Sequence, residues 1–245
     1  MIRVGLVIIA RMGSSRLPGK HMLPALQDGR PFTAVLSERL EKLNQPVILA
    51  TGTSDEDSTL VDFYSKKLPV YRGYDKSVPH RVLEAGKELN CDAVVSVDGD
   101  DIFVSLEAIE KVITQLQAGE KLVSTDGLPF GMNAWGFQLS YLEECLKDIS
   151  GDTIETGWGR VFDADASIIK FDQHSLHEQL RFSLDYPEDQ KFFSSIFEKL
   201  DSPTDANDKE ILNLVETEKL YEINEAVIPL YWENFHAEKA MESKQ

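Results

Sequence analysis

Cysteine is nearly absent from this chain: Cys91 and Cys145 are the only two in 245 residues. Neither sits in a Cys-x-x-Cys pair or at a Cys/His ligand spacing, which excludes a disulfide framework or a zinc site as an organising feature. Positive charge is scarce too. Lys and Arg number 25 against 42 Asp and Glu, a formal net charge of -17. Nucleic acid and anionic membrane surfaces both call for a positive face, so neither is expected as a partner. No apolar run approaches the ~20 residues of a membrane span. The N-terminus also lacks the basic start and the ~7–15-residue apolar core of a secretion signal. The expectation is a cytoplasmic protein.

One local cluster of positive charge stands out early in the chain. An apolar run, Val4-Gly5-Leu6-Val7-Ile8-Ile9, empties into Ala10-Arg11-Met12-Gly13-Ser14-Ser15-Arg16-Leu17-Pro18-Gly19-Lys20. A buried strand ending in a loop of glycines, serines and cations presents backbone N–H groups and positive charge to a phosphate chain. The loop is not a Walker A motif. Gly13 and Gly19 are separated by five residues rather than four, and His21 follows Lys20 where a Ser or Thr would hold magnesium.

Beyond the loop, short apolar runs alternate with amphipathic helical patterns. Strands are predicted at 3–9, 46–50, 69–71 and 93–97, and helices at 31–43, 54–67, 81–89 and 106–117. Ser54 reads as an N-cap, with acidic residues in the turn after it. This alternation predicts an α/β fold: a Rossmann-like, mainly parallel sheet with helices on both faces. The second half is less regular. Strands are predicted near 131–139, 168–171 and 180–184, and helices at 140–146 and 187–200, the latter opened by Pro187. Residues 202–209 read as a polar linker, and the tail after about 221 as helical or frayed with no assigned role. The domain reading is a single unit over 1–200, an inserted region at 126–163, and a linker and tail over 201–245.

Two acidic segments complete the chemistry. Val97-Asp98-Gly99-Asp100-Asp101 follows a predicted strand, and three carboxylates there are costly unless they hold a cation. The second is Arg181-Phe182-Ser183-Leu184-Asp185-Tyr186-Pro187-Glu188-Asp189.

The first loop resembles the signature A-R-x-G-S-x-R-x-P-G-K of sugar-acid cytidylyltransferases, most closely the branch named for spore-coat polysaccharide biosynthesis protein F. Arg11, Gly13, Ser14, Arg16, Pro18, Gly19 and Lys20 match in order, and the resemblance extends over about 3–191. It implies a sheet of the nucleotide-diphospho-sugar transferase type, with 126–163 inserted for sugar binding and dimerisation. It also implies that the loop wraps a nucleoside triphosphate through Ala10, Arg11, Gly13, Ser14 and Lys20. Arg16, Lys20 and Asp100 are the implied catalytic residues. Asp100 stands where the family's G-D-x-P element binds magnesium, and Asp185, in a match to V-D-T-P-E-D, completes that metal site. Asp189 is read instead as favouring the start of its helix. Thr51, Arg72 and Arg81 match weaker elements near the base and ribose. Phe130, Asn133, Trp135, Trp158 and Arg160 fall in the sugar-binding region, with Asn133, Trp135 and Arg160 as the substrate contacts.

The implied activity joins CTP, or another nucleoside triphosphate, to a sugar acid and releases pyrophosphate. Its place would be surface polysaccharide or glycoconjugate synthesis, in a homodimer. Departures from the family pattern occur at Ile9, at Asp101-Ile102, and at Tyr74, His80 and Ser105. They keep a non-catalytic nucleotide-binding relative in view. A GT-A glycosyltransferase using Asp98-Gly99-Asp100 as a D-x-D motif is the other alternative. The first loop argues against it, because an existing diphosphate sugar does not call for a triphosphate grip.

Overall fold

The computed structural model of the chain describes residues 2–25, 28–149 and 153–242. Seven strands form one sheet: β1 (Val4–Ile9), β2 (Val47–Thr51), β3 (Val70–Arg72), β4 (Ala93–Asp98), β5 (Leu122–Asp126), β6 (Trp135–Gln138) and β7 (Ser167–Lys170). Their spatial order is β3-β2-β1-β4-β6-β5-β7. β6 runs antiparallel to β4 and β5, and the other pairings are parallel. The helices are α1 (Phe32–Glu41), α2 (Ser58–Tyr64), α3 (Val78–Glu88), α4 (Leu106–Gln117), α5 (Leu139–Cys145), α6 (Pro187–Lys199), α7 (Asp208–Thr217) and α8 (Ile228–Glu242).

Strand alternation divides the interior into two cores. Leu6 and Ile8 of β1, Leu49 of β2 and Val95 and Val97 of β4 face one core, with Val35 of α1, Ile109 of α4 and Phe193 of α6. Val7, Ile48, Ala50 and Val94 face the other, with Val82 of α3 and Leu142 of α5. Helices therefore cover both faces, as the apolar run at β1 requires of a strand buried on two sides. β1 lies between β2 and β4, so chain connections leave it in opposite directions. In such sheets the crevice beyond the strand carboxyl ends at that reversal is where ligands bind.

Several expectations need adjustment. Residues 180–184 are extended but form no strand of the sheet. Phe182 N–H donates to the Phe130 carbonyl at 2.7 Å and Leu184 N–H to the Asp100 carbonyl at 3.0 Å, so the segment ties two loops together. β5 was not foreseen, nor was α7. Asn207 and Glu210 cap α7 reciprocally, and Ile211 and Val215 bury its inner face. The helix expected from Ser54 begins at Ser58, because a turn at 54–57 precedes it. Within the region expected as an insertion, 150–152 lie outside the described residues. Among the described residues no helix is long and apolar enough to cross a membrane.

Candidate active site

The loop at 10–20 and the turn at 98–101 leave the carboxyl ends of β1 and β4 side by side. Gly99 permits this approach: a β-carbon there would stand 2.8 Å from the Ile9 carbonyl oxygen. Gly19 turns the first loop with φ 70°, a left-handed conformation that suits glycine, and delivers Lys20 into a single 3-10 turn. The loop is tied down from within and without. Leu17 N–H donates to Ser14 Oγ at 3.3 Å, and Met12 N–H to Asp57 Oδ1 at 2.7 Å. Gly13 faces open space, with no atom within 4 Å of where a β-carbon would lie.

Both segments line a cavity of about 870 Å³. At its centre Lys20, 7% exposed, joins two carboxylates that are 85 residues apart in sequence. Its Nζ donates to Asp100 and, at 2.9 Å, to Asp185 Oδ1. Burial works against the ammonium charge, but the two carboxylates outweigh it and hold the Lys20 pKa above the ordinary value. Asp185 is 1% exposed. Burial would raise its pKa, yet Lys20, Arg181 and Arg16 hold it well below the usual carboxylate range. Arg16 Nη2 donates to Asp185 at 2.9 Å, and the Arg181 guanidinium donates to its other oxygen.

Asp98 and Asp101 also line the cavity. Asp98 is exposed at the end of β4, and the crowding of the site around it, with repulsion from Asp100, raises its carboxyl pKa. The same two causes, with Asp98 adding to the repulsion, place Asp101 well above its ordinary value. A crowd of hard carboxylate oxygens suits a divalent cation of the magnesium type. Among the described residues no three acidic, histidine or cysteine side chains stand as a ready coordination cluster. Asp100 and Asp185, the expected metal pair, are brought together across Lys20.

Of the other expected residues, Ala10, Arg11, Gly13, Ser14, Arg16, Arg81 and Trp135 all line the cavity. Arg81 is fully buried. Its Nε and Nη2 donate to the carbonyls of Gly73 and Tyr74, while Nη1 has no partner. Burial, with repulsion from Arg11, lowers its pKa to about 10. Arg11 donates to the Asp75 carbonyl at 2.9 Å and to Glu155 at 2.5 Å.

Four expected contacts fall outside the lining. Thr51 is fully buried in β2. Arg72 clamps the loop after β2 through the carbonyls of Gly52 and Ser54. Asn133 closes the turn between β5 and β6, bonding Thr125 and the Leu128 carbonyl. Arg160 donates to the Thr156 carbonyl and to Glu242. Asp189 accepts the N–H groups of Asp185 and Tyr186 at 2.9 Å each, as a helix-start acid should. Two of the departures from the family pattern are structural. Ile102 lies in the core, and Ser105 caps α4 and bonds Asp208.

The tail was given no role, yet α8 forms a wall of the cavity through Tyr231, Trp232, Phe235, Glu238, Met241 and Glu242. The Tyr231 ring centroid lies 4.1 Å from the Arg181 guanidinium and 5.7 Å from that of Arg16. Glu238 approaches Arg16 at 3.4 Å. Glu242 accepts the Glu155 and Thr156 N–H groups at 3.1 and 2.9 Å, and Arg160 Nη2 at 2.7 Å. The available signal was the aromatic spacing of Tyr231, Trp232 and Phe235, with carboxylates one and two turns further on.

Residues 6–154 match the protein family described as Cytidylyltransferase. A protein of Methanocaldococcus jannaschii, named as uncharacterized protein MJ1063, is 34% identical over 146 residues, 58% of this chain and 59% of that protein. A 3-deoxy-manno-octulosonate cytidylyltransferase of Anaeromyxobacter dehalogenans is 29% identical over 126 residues, 51% of each chain. The chain thus spans between half and three fifths of the length of these relatives. The solved structure of a cytidylyltransferase from Leptospira borgpetersenii superposes with a TM-score of 0.73 at 20% identity, covering 91% of this chain and 98% of that one. It shares the fold.

Proposed function

The chain belongs to the cytidylyltransferase family, and from that premise we propose that it transfers CMP from CTP to a hydroxyl of a sugar acid and releases pyrophosphate. The observation that carries this reading is the meeting of Arg16 and Lys20 with Asp100 and Asp185 in one cavity, at the carboxyl ends of β1 and β4. Arg16 and Lys20 grip the triphosphate and offset charge on the departing pyrophosphate. The open face of Gly13 and the amides around it let the phosphate chain approach the backbone. Arg81 Nη1, buried on the cavity wall without a partner, supplies a donor to the nucleoside.

Asp100 and Asp185 would hold magnesium, which lowers the charge on the phosphate oxygens when bound. The acceptor hydroxyl attacks the α-phosphorus in line as the bond to the β-phosphate oxygen breaks. The hydroxyl proton passes to solvent or a neighbouring base. Trp135 lies beside Trp158 at 4.4 Å between ring centroids and offers an apolar face to the sugar. A homodimer working in the cytoplasm, in the synthesis of surface polysaccharide or glycoconjugate, completes the reading.

The test is a pyrophosphate-release screen of sugar acids against CTP, UTP, ATP and GTP with magnesium. Release is expected with CTP and at least one acid. Transfer from a nucleotide sugar with no pyrophosphate would favour the glycosyltransferase alternative.

A further inference from the structure

The three donors that hold Glu242 are aimed at one carboxylate. The amides of Glu155 and Thr156 each reach a different oxygen, and Arg160 adds a charge-assisted bond to the oxygen shared with Glu155. Glu155 and Thr156 line the cavity, and the segment that carries them leads directly to Trp158. Two amides and a guanidinium converging on a planar anion recognise it in orientation as well as charge. A neutral occupant would leave two part-buried amides and a guanidinium without their anion, which favours a carboxylate in this seat.

The carboxylate now in that seat is weakly delivered. No residue of α8 is buried. The helix is held by half-exposed aromatic contacts, by Asn234 on the Tyr186 hydroxyl at 2.9 Å, and by Glu238 and Glu242. Leu230, Trp232 and Met241 remain 45%, 40% and 67% exposed, the last two on the cavity wall. No side chain of α8 belongs to either hydrophobic core, so the helix can move without opening one.

We propose that the amides of Glu155 and Thr156, with Arg160, seat the carboxylate of the acceptor sugar acid, and that Glu242 occupies this seat as an internal stand-in until the acceptor displaces it. The inference rests on the sugar-acid reading above and deepens it. It gives Arg160 a substrate contact that is masked in the free protein, and it makes α8 a competitor for the acceptor rather than for CTP.

Two measurements on the full chain test it. The first titrates sodium acetate against ionic-strength-matched sodium chloride and follows thermal unfolding of wild type, Glu242→Ala and Glu242→Ala/Arg160→Gln. Acetate should stabilise Glu242→Ala beyond chloride, and leave wild type and the double variant unmoved. No acetate-specific stabilisation of Glu242→Ala overturns the seat.

The second measures acceptor KM in wild type and in the milder Glu242→Gln by pyrophosphate release, with 3-deoxy-manno-octulosonate and N-acetylneuraminate as probes. Loss of the internal charge should lower acceptor KM about three- to tenfold, with CTP KM within about twofold. An unchanged or raised acceptor KM overturns the stand-in role while leaving the sugar-acid reading intact. Absence of pyrophosphate with either acid in wild type counts against the acceptor assignment, and the acetate arm still decides whether the seat takes a free carboxylate.

Discussion

Loop 10–20 and helix α8 face each other across one cavity but are anchored very differently. The loop grows from a strand paired on both sides, and its Lys20 and Arg16 meet an Asp185 that is 1% exposed. Helix α8 lies on the same cavity without one buried residue, and its polar contacts run through Asn234, Glu238 and Glu242. The difference separates a rigid grip from an adjustable wall. Pre-set charges stabilise a developing anion without reorganising, which suits the phosphate-gripping role proposed for the loop. The acceptor side proposed for α8 would have to admit and release a substrate, which suits an element of low local stability.

The largest effect that sharpens this contrast is expected at Asp185. Asp185→Ala strips Lys20, Arg16 and Arg181 of a shared, buried partner, and should cost about 3–5 kcal/mol in urea unfolding. A loss below about 1 kcal/mol would mean that the grip is no better anchored than the tail.

Next is Asp100→Asn, which preserves shape but removes a charge proposed to hold magnesium. Pyrophosphate release should fall by at least ~100-fold. Near-normal turnover would remove Asp100 from the metal assignment.

A smaller effect concerns pH. His21 is 4% exposed and bonds Thr33 at 3.2 Å; burial, with repulsion from Lys20, lowers its pKa from 6.5 to about 4. The unfolded chain therefore binds this proton first. Stability should be full above about pH 6.5, fall as pH drops towards 4, and change no further below it through this group. His21→Gln should flatten that part of the profile by about 1–3 kcal/mol in chemical unfolding at each pH. An unaltered acid limb would show that His21 is not held neutral.

The smallest effect belongs to the tail. Leu230→Ser on the outer side of α8 should shift stability by less than ~0.5 kcal/mol. A loss of several kcal/mol would break the contrast by showing α8 to be part of the cooperative core.

How much could be read in advance follows the same division. Helix α4 was legible to the residue because Ile109, Val112, Ile113 and Leu116 repeat at helical spacing; the Ser105 cap at its start was read only as a departure from the family pattern. The loop after β1 was legible because its chemistry is contiguous. Asp100 and Asp185 were found by resemblance, but Lys20 standing between them was not, since that contact links segments far apart in sequence. β5 carries only Leu122 and Val123 as apolar residues and owes its order to pairing with β6 and β7. Arg72 and Asn133 look free in sequence, yet each satisfies nearby backbone carbonyls. Helix α8 was the furthest from view, because nothing in 228–242 states which surface it will cover.

The most direct test of the central claim is phosphorus NMR of CTP incubated with the protein, magnesium and an accepted sugar acid. The account predicts that the α-phosphorus signal moves to that of a phosphodiester while the β- and γ-phosphorus signals merge into pyrophosphate. Release of the γ-phosphate as orthophosphate, with the α-phosphorus still in a CDP signal, would contradict it.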